Sequence, residues 1–183
     1  CIRDRHMSGG TMEILLTEKG DKGYKTEIVG GTKDISFGQL IDRVGVKMGY
    51  DFPAGKYVDE NALLCKEEVA SGLKTSVKDG YMNISGLENQ VYKLMEEKDK
   101  YYVSKAVMNA AIKSLEKALR FVCDKYSIED VVFVGGVASS KYISKKLSKK
   151  LQRNNINSFF TDGAYSSDNA CGCAIIGLDN FVI

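Results

Sequence analysis

Three glycine-centred turns carry the residue types that phosphate and nucleotide contacts use: Ser8-Gly9-Gly10-Thr11, Pro53-Ala54-Gly55 and Gly135-Gly136-Val137. A glycine lets the backbone come close to a ligand, and the N–H groups of a turn or helix start are ready anion donors. Gly135-Gly136 follows an apolar run and precedes a helical pattern, so it reads as a strand-to-helix turn that opens a helix. Each turn also fits a tight bend with no ligand, the ordinary reading of any one of them alone. Asp168-Asn169 stands at the start of a last helical pattern, where it is an N-cap, a carboxylate facing a cleft, or both. Asp34 and Asp42 flank an amphipathic segment. Asp42 lies at the edge of its apolar stripe, either on the surface or within reach of a cleft. Lys141, Lys145, Lys146, Lys149, Lys150 and Arg153 crowd one helix. They form a solvated face or a stripe for RNA phosphates, and the near-neutral chain favours the first.

Other chemistries fail on inventory. The single histidine, His6, sits in an unpatterned N-terminal stretch, so Ser-His-Asp and Cys-His hydrolysis have no base. No tetrahedral zinc spacing occurs. Five cysteines are an odd number without framework spacing, and they read as reduced thiols of a cytoplasmic protein. Cys171 and Cys173 lie on one helical pattern and point roughly 200° apart, a poor metal pair. The formal charge of +2 argues for no particular polyanion or membrane. No run is long enough to span a bilayer. Residues 1–7 are either a leader or cloning remnant, or native chain continuous with the first strand.

The elements that must position these residues follow from periodicity. Met12 to Thr17 and Tyr24 to Val29 read as a β-hairpin across the turn-rich residues 18–23, ended by Gly30-Gly31. Phe37, Leu40, Ile41, Val44 and Met48 recur at helical spacing, and Gly49 closes that helix. A short helix over 57–65 and strands at Leu73–Val77 and Tyr81–Ile84 follow. Ser85–Glu97 is helical, and Val103–Tyr126 carries a longer stripe through Val107, Ala111, Leu115, Ala118 and Val122. Val131 to Val134 reads as a buried parallel strand. A helix with Ile143, Leu147 and Leu151 inward, a strand at Ser158–Phe160 and a helix over Asp168–Leu178 complete the chain. This is an α/β domain with a mixed sheet flanked by helices, over 183 residues with no repeat and no linker.

Taken in order, these segments resemble the tRNA threonylcarbamoyladenosine synthase family, long called glycoproteases or O-sialoglycoprotein endopeptidases. Ser8-Gly9-Gly10-Thr11 is similar to its Ser-Gly-Gly-His-Thr loop. Gly38-Gln39-Leu40-Ile41-Asp42-Arg43 followed by Pro53-Ala54-Gly55 is similar to its Gly-Glu-x-Phe-Asp-Lys helix and Tyr-Pro-Gly-Gly-Pro turn. Ile84-Ser85-Gly86-Leu87 resembles its Phe-Ser-Gly-Leu-Lys-Thr. Gly135-Gly136-Val137-Ala138 resembles its Gly-Gly-Val-x-x-Asn turn, and Ser167-Asp168-Asn169-Ala170 its Thr-Asp-Asn segment.

The resemblance implies an actin-like (ribonuclease H-like) fold, with residues 8–183 as the single C-terminal lobe of a two-lobed protein. It implies ATP or threonylcarbamoyl-AMP between the lobes and transfer to an adenosine of tRNAs that read codons beginning with A. Carried over, Ser8, Gly9, Gly10 and Thr11 meet phosphate, and Asp42 and Gly55 meet the ribose or carbamoyl end. Gly135, Gly136 and Ser140 meet the adenosine, and Asp168 ligates a divalent iron or zinc. The departures are Thr11 for histidine, Gln39 for glutamate, Ile41 for phenylalanine, Ala54 and Lys56 in the Pro-Gly-Gly-Pro turn, and Ser140 for asparagine. The family's two-histidine metal motif belongs to the other lobe, so the site here is incomplete and this chain alone is expected to be inactive. The implied partners are that N-terminal lobe, tRNA, and a paralogous synthase subunit or a second copy, with no membrane. The alternative function is a non-catalytic scaffold for a true synthase; the old peptidase label has no supporting residues.

Overall fold

The computed structural model describes residues 10, 12–20, 23–69 and 72–161. It begins with a long hairpin, β1 (Glu13–Gly20) and β2 (Gly23–Thr32), paired antiparallel with a register shift between Ile14 and Leu15. β2 does not end at Gly30-Gly31. It runs on to Thr32 because Gly31 and Thr32 pair in parallel with Tyr81 and Met82 of β4 (Tyr81–Asn83), and the Gly31 N–H donates to the Gly80 carbonyl. β3 (Ser76–Lys78) pairs antiparallel with β4, giving the order β1-β2-β4-β3. β3 is shorter than the predicted strand and begins later. Lys74 instead bonds to the side chain of Gln90, donating to its Oε1 and accepting from its Nε2.

Between β2 and β3 lie α1 (Phe37–Lys47) and α2 (Gly55–Leu64). Ser36 and Gln39 form a capping box at α1: each side chain accepts from the other's backbone N–H at 3.1 Å. The inward stripe Phe37, Leu40, Ile41 and Val44 is buried. α3 (Ser85–Glu97) covers the predicted residues. α4 (Lys100–Tyr126) is the central strut, about 40 Å long by its rise per residue. Val103, Val107, Ala110, Ala111, Leu115, Ala118 and Leu119 are buried along it, and its alanines let neighbouring helices come close. Asp99 caps it, accepting from Tyr101 and Tyr102 N–H.

β5 (Asp130–Phe133) and β6 (Asn157–Phe160) pair in parallel, with α5 (Lys141–Gln152) as the crossover that parallel strands require. Phe133 and Phe160 stack with centroids 4.4 Å apart. Ile143, Leu147 and Leu151 of α5 are fully buried. The predicted helix over 168–178 lies outside the described residues. Among the described residues no helix is long and apolar enough to cross a membrane. Among the described residues neither Cys65, half-buried, nor Cys123, buried, forms a disulfide.

Candidate functional site

The turn after β5 departs from expectation. Gly135-Gly136 does not open α5: a turn over 136–139 intervenes, and the helix starts at Lys141 with Ser140 as its N-cap. The two glycines also differ physically. Gly135 is buried with φ of 100°, a backbone conformation that favours glycine. Gly136 is exposed, has no such φ, and a Cβ built on it would meet nothing within 4 Å. The fold needs the first glycine and leaves open space at the second.

That open space belongs to a cleft of about 560 Å³ between α1, α2 and the β5–α5 connection. Such a volume suits a nucleotide-sized molecule. Asp42, Gly55, Gly136 and Ser140, drawn from three separate sequence motifs, all line it. Lys56, Asp59, Glu60 and Lys141 add charge of both signs, and Ile41, Leu63, Met108 and Val137 add apolar wall. Gly135 is not on the lining; it turns the chain behind it. Gly10 is exposed and is not among the residues lining the cleft. Ser8, Gly9, Thr11 and Asp168 lie outside the described residues.

Asp42 positions the cleft as well as lining it. Its Oδ1 accepts from the N–H of Ala54 at 2.8 Å and of Gly55 at 2.9 Å. Ala54 is the N-cap of α2 and offers no side-chain cap, so Asp42 supplies the acceptor and fixes α1 to α2. This is why α2 begins at Gly55, earlier than its apolar pattern suggests. Asp42 Oδ2 makes no hydrogen bond with the described residues.

The start of α5 is held in the same way. The Asp59 carboxylate accepts from the Ser140 hydroxyl and, at 3.1 Å each, from the N–H of Lys141 and Tyr142. Ser140 Oγ in turn accepts from Ile143 N–H at 3.0 Å. The first turn of α5, expected as an anion donor, therefore already holds the chain's own carboxylate. Sequence reasoning missed Asp59. The only signal available was its place one turn after Gly55 on the short helix, with no pattern to say what it would meet.

Behind the first turn of α5, the Tyr142 hydroxyl donates to Asn109 Oδ1 at 2.9 Å and accepts from Lys146. Burial and the nearby Cys65 push the Tyr142 phenol up to about 12 against the lowering effect of Asn109. Burial, then the Lys105 charge, lowers the Lys146 ammonium. On the far side of α1, burial raises the Asp34 carboxyl, but N–H donors from Ile84 and Ser85 outweigh it and hold it below its ordinary value.

Among the described residues the cleft lining holds no histidine or cysteine. Its groups suit binding and orientation: acceptors for hydroxyls, cations for a phosphate, and apolar wall for a flat ring. Among the described residues no three His, Cys, Asp or Glu side chains gather as metal ligands. They do not by themselves fit a metal.

A family model described as TsaD, tRNA N6-adenosine threonylcarbamoyltransferase, matches residues 6–174. Proteins of that name are similar throughout the chain. The one from Malacoplasma penetrans is 29% identical over 177 residues, covering 93% of this chain and 54% of that protein. The one from Caldicellulosiruptor saccharolyticus is 27% identical over 182 residues, covering 93% and 52%. The chain thus spans about half the length of the curated relatives it matches. Among solved structures, full-length HypF in its phosphate- and nucleotide-bound form superposes with a TM-score of 0.75 at 14% identity, covering 100% of this chain and 40% of that one. The activator of 2-hydroxyisocaproyl-CoA dehydratase from Clostridium difficile, with bound ADPNP, gives 0.55 at 16% identity, covering 88% and 54%. These likenesses show the fold, which is actin-like α/β.

Proposed function

The chain belongs to the tRNA N6-adenosine threonylcarbamoyltransferase family, and from that premise we propose that it is one lobe of a two-lobed transferase, binding an adenine nucleotide or threonylcarbamoyl-adenylate in the α1–α2–α5 cleft. The observation that carries this reading is the convergence of Asp42, Gly55, Gly136 and Ser140 on one cleft of nucleotide size. The ring lies over Gly136, where no Cβ intrudes, and against the Val137 side chain. Asp42 Oδ2 and Glu60 accept from ribose hydroxyls. Lys56 and Lys141 face the phosphate, since the α5 N-terminus is taken by Asp59. The lobe binds and orients. A second lobe supplies the remaining wall and the metal ligands that Asp168 would join, and the acceptor is a tRNA adenosine.

The test is an NMR titration of this chain with AMP, ADP and ATP, with and without Mg²⁺. Amide shifts gathering at Asp42, Gly55, Gly136 and Ser140, and lost in Gly136→Val, are the expected result. A single lobe offers half a clamp, so millimolar affinity, about −4 kcal/mol, is enough. No shifts at several times that concentration would sink the proposal. A second reading, a non-catalytic partner of a complete synthase, draws on Ser140. Its hydroxyl is bonded to Asp59 and Ile143 rather than offered to a ligand. A flat titration together with a stable complex between this chain and such a synthase would make it the better account.

A further inference from the structure

α5 carries five lysines and no acidic residue in the segment KYISKKLSKKLQ. The whole chain has a formal charge of only +2, so everything outside this helix sums to −3. The chain's net positive charge therefore resides on this helix, while the other lysines and arginines are outnumbered by acids. The structure divides these lysines into two sets. Lys146 and Lys150 turn toward α4, where Lys146 meets Asn109 and Lys150 pairs with Glu116 at 2.7 Å; Lys146 also donates to the Tyr142 hydroxyl of its own helix. Lys141, Lys145 and Lys149 are exposed, as is Arg153 just past the helix, and none has an ion-pair partner among the described residues.

These four recur every fourth residue, a rise of about 6 Å per step along the helix. That is close to the roughly 6–7 Å between successive phosphates of an extended nucleic-acid strand, about twice the roughly 3.4 Å axial rise per phosphate of a single duplex strand. The row also has a fixed origin, because Lys141 lines the cleft and the others lead away from it along the helix. An anionic bilayer fits this face less well. Amphipathic helices bind membranes by burying their apolar side, and here Ile143, Leu147 and Leu151 are fully committed to the core.

We propose that the Lys141–Lys145–Lys149–Arg153 row of α5 is a phosphate track that docks RNA and leads its backbone to the mouth of the cleft. The identity of the RNA, a tRNA, rests on the function proposed above; the track itself rests on the net charge of α5, spacing and continuity with the cleft. Lys145 and Lys149 stand outside the cleft lining, so the track and the nucleotide site are separable.

The experiment is fluorescence anisotropy of a labelled, unmodified tRNA transcript with this chain, from about 50 to 300 mM salt. The parent is compared with Lys145→Gln/Lys149→Gln, Lys145→Glu/Lys149→Glu, and a control reversal of two other exposed lysines, Lys98→Glu/Lys100→Glu. The control pair lies among tyrosines and is the rival RNA surface. Charge reversal on α5 is expected to weaken binding at least about tenfold at low salt. The neutral pair should give a smaller loss and reduce the slope of log affinity against log salt by roughly one to two. The control should change less than about twofold. Unchanged amide spectra away from α5 show that each variant folds. Parent-like binding by both α5 variants, an equal loss in the control, absence of tRNA binding by the parent, or equal competition by duplex DNA each overturns the track. The nucleotide titration repeated on Lys145→Glu/Lys149→Glu separates the two proposals. Retained nucleotide shifts with intact tRNA binding remove the track and keep the cleft. A flat nucleotide titration with a salt-dependent loss of tRNA does the reverse.

Discussion

At the scale of single residues, the two glycines after β5 do different work, and substitution separates them. Gly135 has φ of 100°, so Gly135→Ala forces a side chain into a left-handed conformation that costs about 1–2 kcal/mol. Gly136 has an ordinary φ and open space around it. Gly136→Ala is therefore expected to be as stable as the parent or more stable by up to about 1 kcal/mol, since it lowers the entropy of the unfolded chain. It should nonetheless weaken nucleotide binding, because its methyl group enters the cleft. Denaturant unfolding and the AMP titration measure the two effects separately; a stability loss without a binding loss would reverse the assignment. Asp34 makes a pH prediction. Its carboxyl is held below the ordinary value of 3.8 in the folded chain, so the unfolded state binds the proton first. Its stabilisation is present above that value and is lost as pH falls through the lower folded pKa. Asp34→Ala should cost about 1 kcal/mol near neutral pH, a typical cap value, and the gap from the parent should close in acid. Urea midpoints on both sides of that window test the sign.

At the scale of elements, three carboxylates join helices by capping a neighbour. Asp42 of α1 holds the start of α2, Asp59 of α2 holds the start of α5, and Asp34 before α1 holds the start of α3. Two of these links surround the cleft, so its shape is set by capping as much as by packing. Removing a link should loosen an element rather than only weaken a contact. Asp59→Ala leaves the Lys141 and Tyr142 N–H groups and the Ser140 hydroxyl without their acceptor, at a cost of about 1–2 kcal/mol. Hydrogen exchange should quicken in the first turn of α5 more than in α3. Uniform quickening through the whole chain would mean that the link carries global rather than local stability. These links also mark where the sequence was legible. α1, α3, α4 and α5 came through periodicity because one face of each meets the core. The start of α2 did not, because the group that fixes it comes from α1 and leaves no local trace; at α5 the Ser140 cap is local, but the Asp59 acceptor comes from α2 and is not. Asp42 stood out through family resemblance, whereas Asp59 looked like any surface acid on a weakly patterned helix. The glycine pair was legible as a turn after a strand, but not that one glycine serves the backbone and the other the cleft.

At the scale of the whole molecule, the described residues pack around α4, with the cleft at the α1–α2–α5 edge. The lining includes Leu63, 49% exposed at the cleft's border, a degree of exposure suited to a site that a further wall completes. Binding to such a half-site should be weak yet visible in stability, because a ligand that prefers the folded state stabilises it by mass action. With Kd near 1 mM, about 10 mM AMP adds roughly 1.4 kcal/mol. For a domain of this size that corresponds to a rise in Tm of about 3–6 °C. The same concentration of ribose 5-phosphate should give a smaller rise, since it lacks the ring that would cover Gly136 and Val137. The rise should vanish in Gly136→Val, whose side chain fills the space. Equal rises for AMP, ribose 5-phosphate and inorganic phosphate, all surviving in Gly136→Val, would place the binding on the basic face of α5 instead. The cleft would then be a scaffold feature of the lobe and not its ligand site.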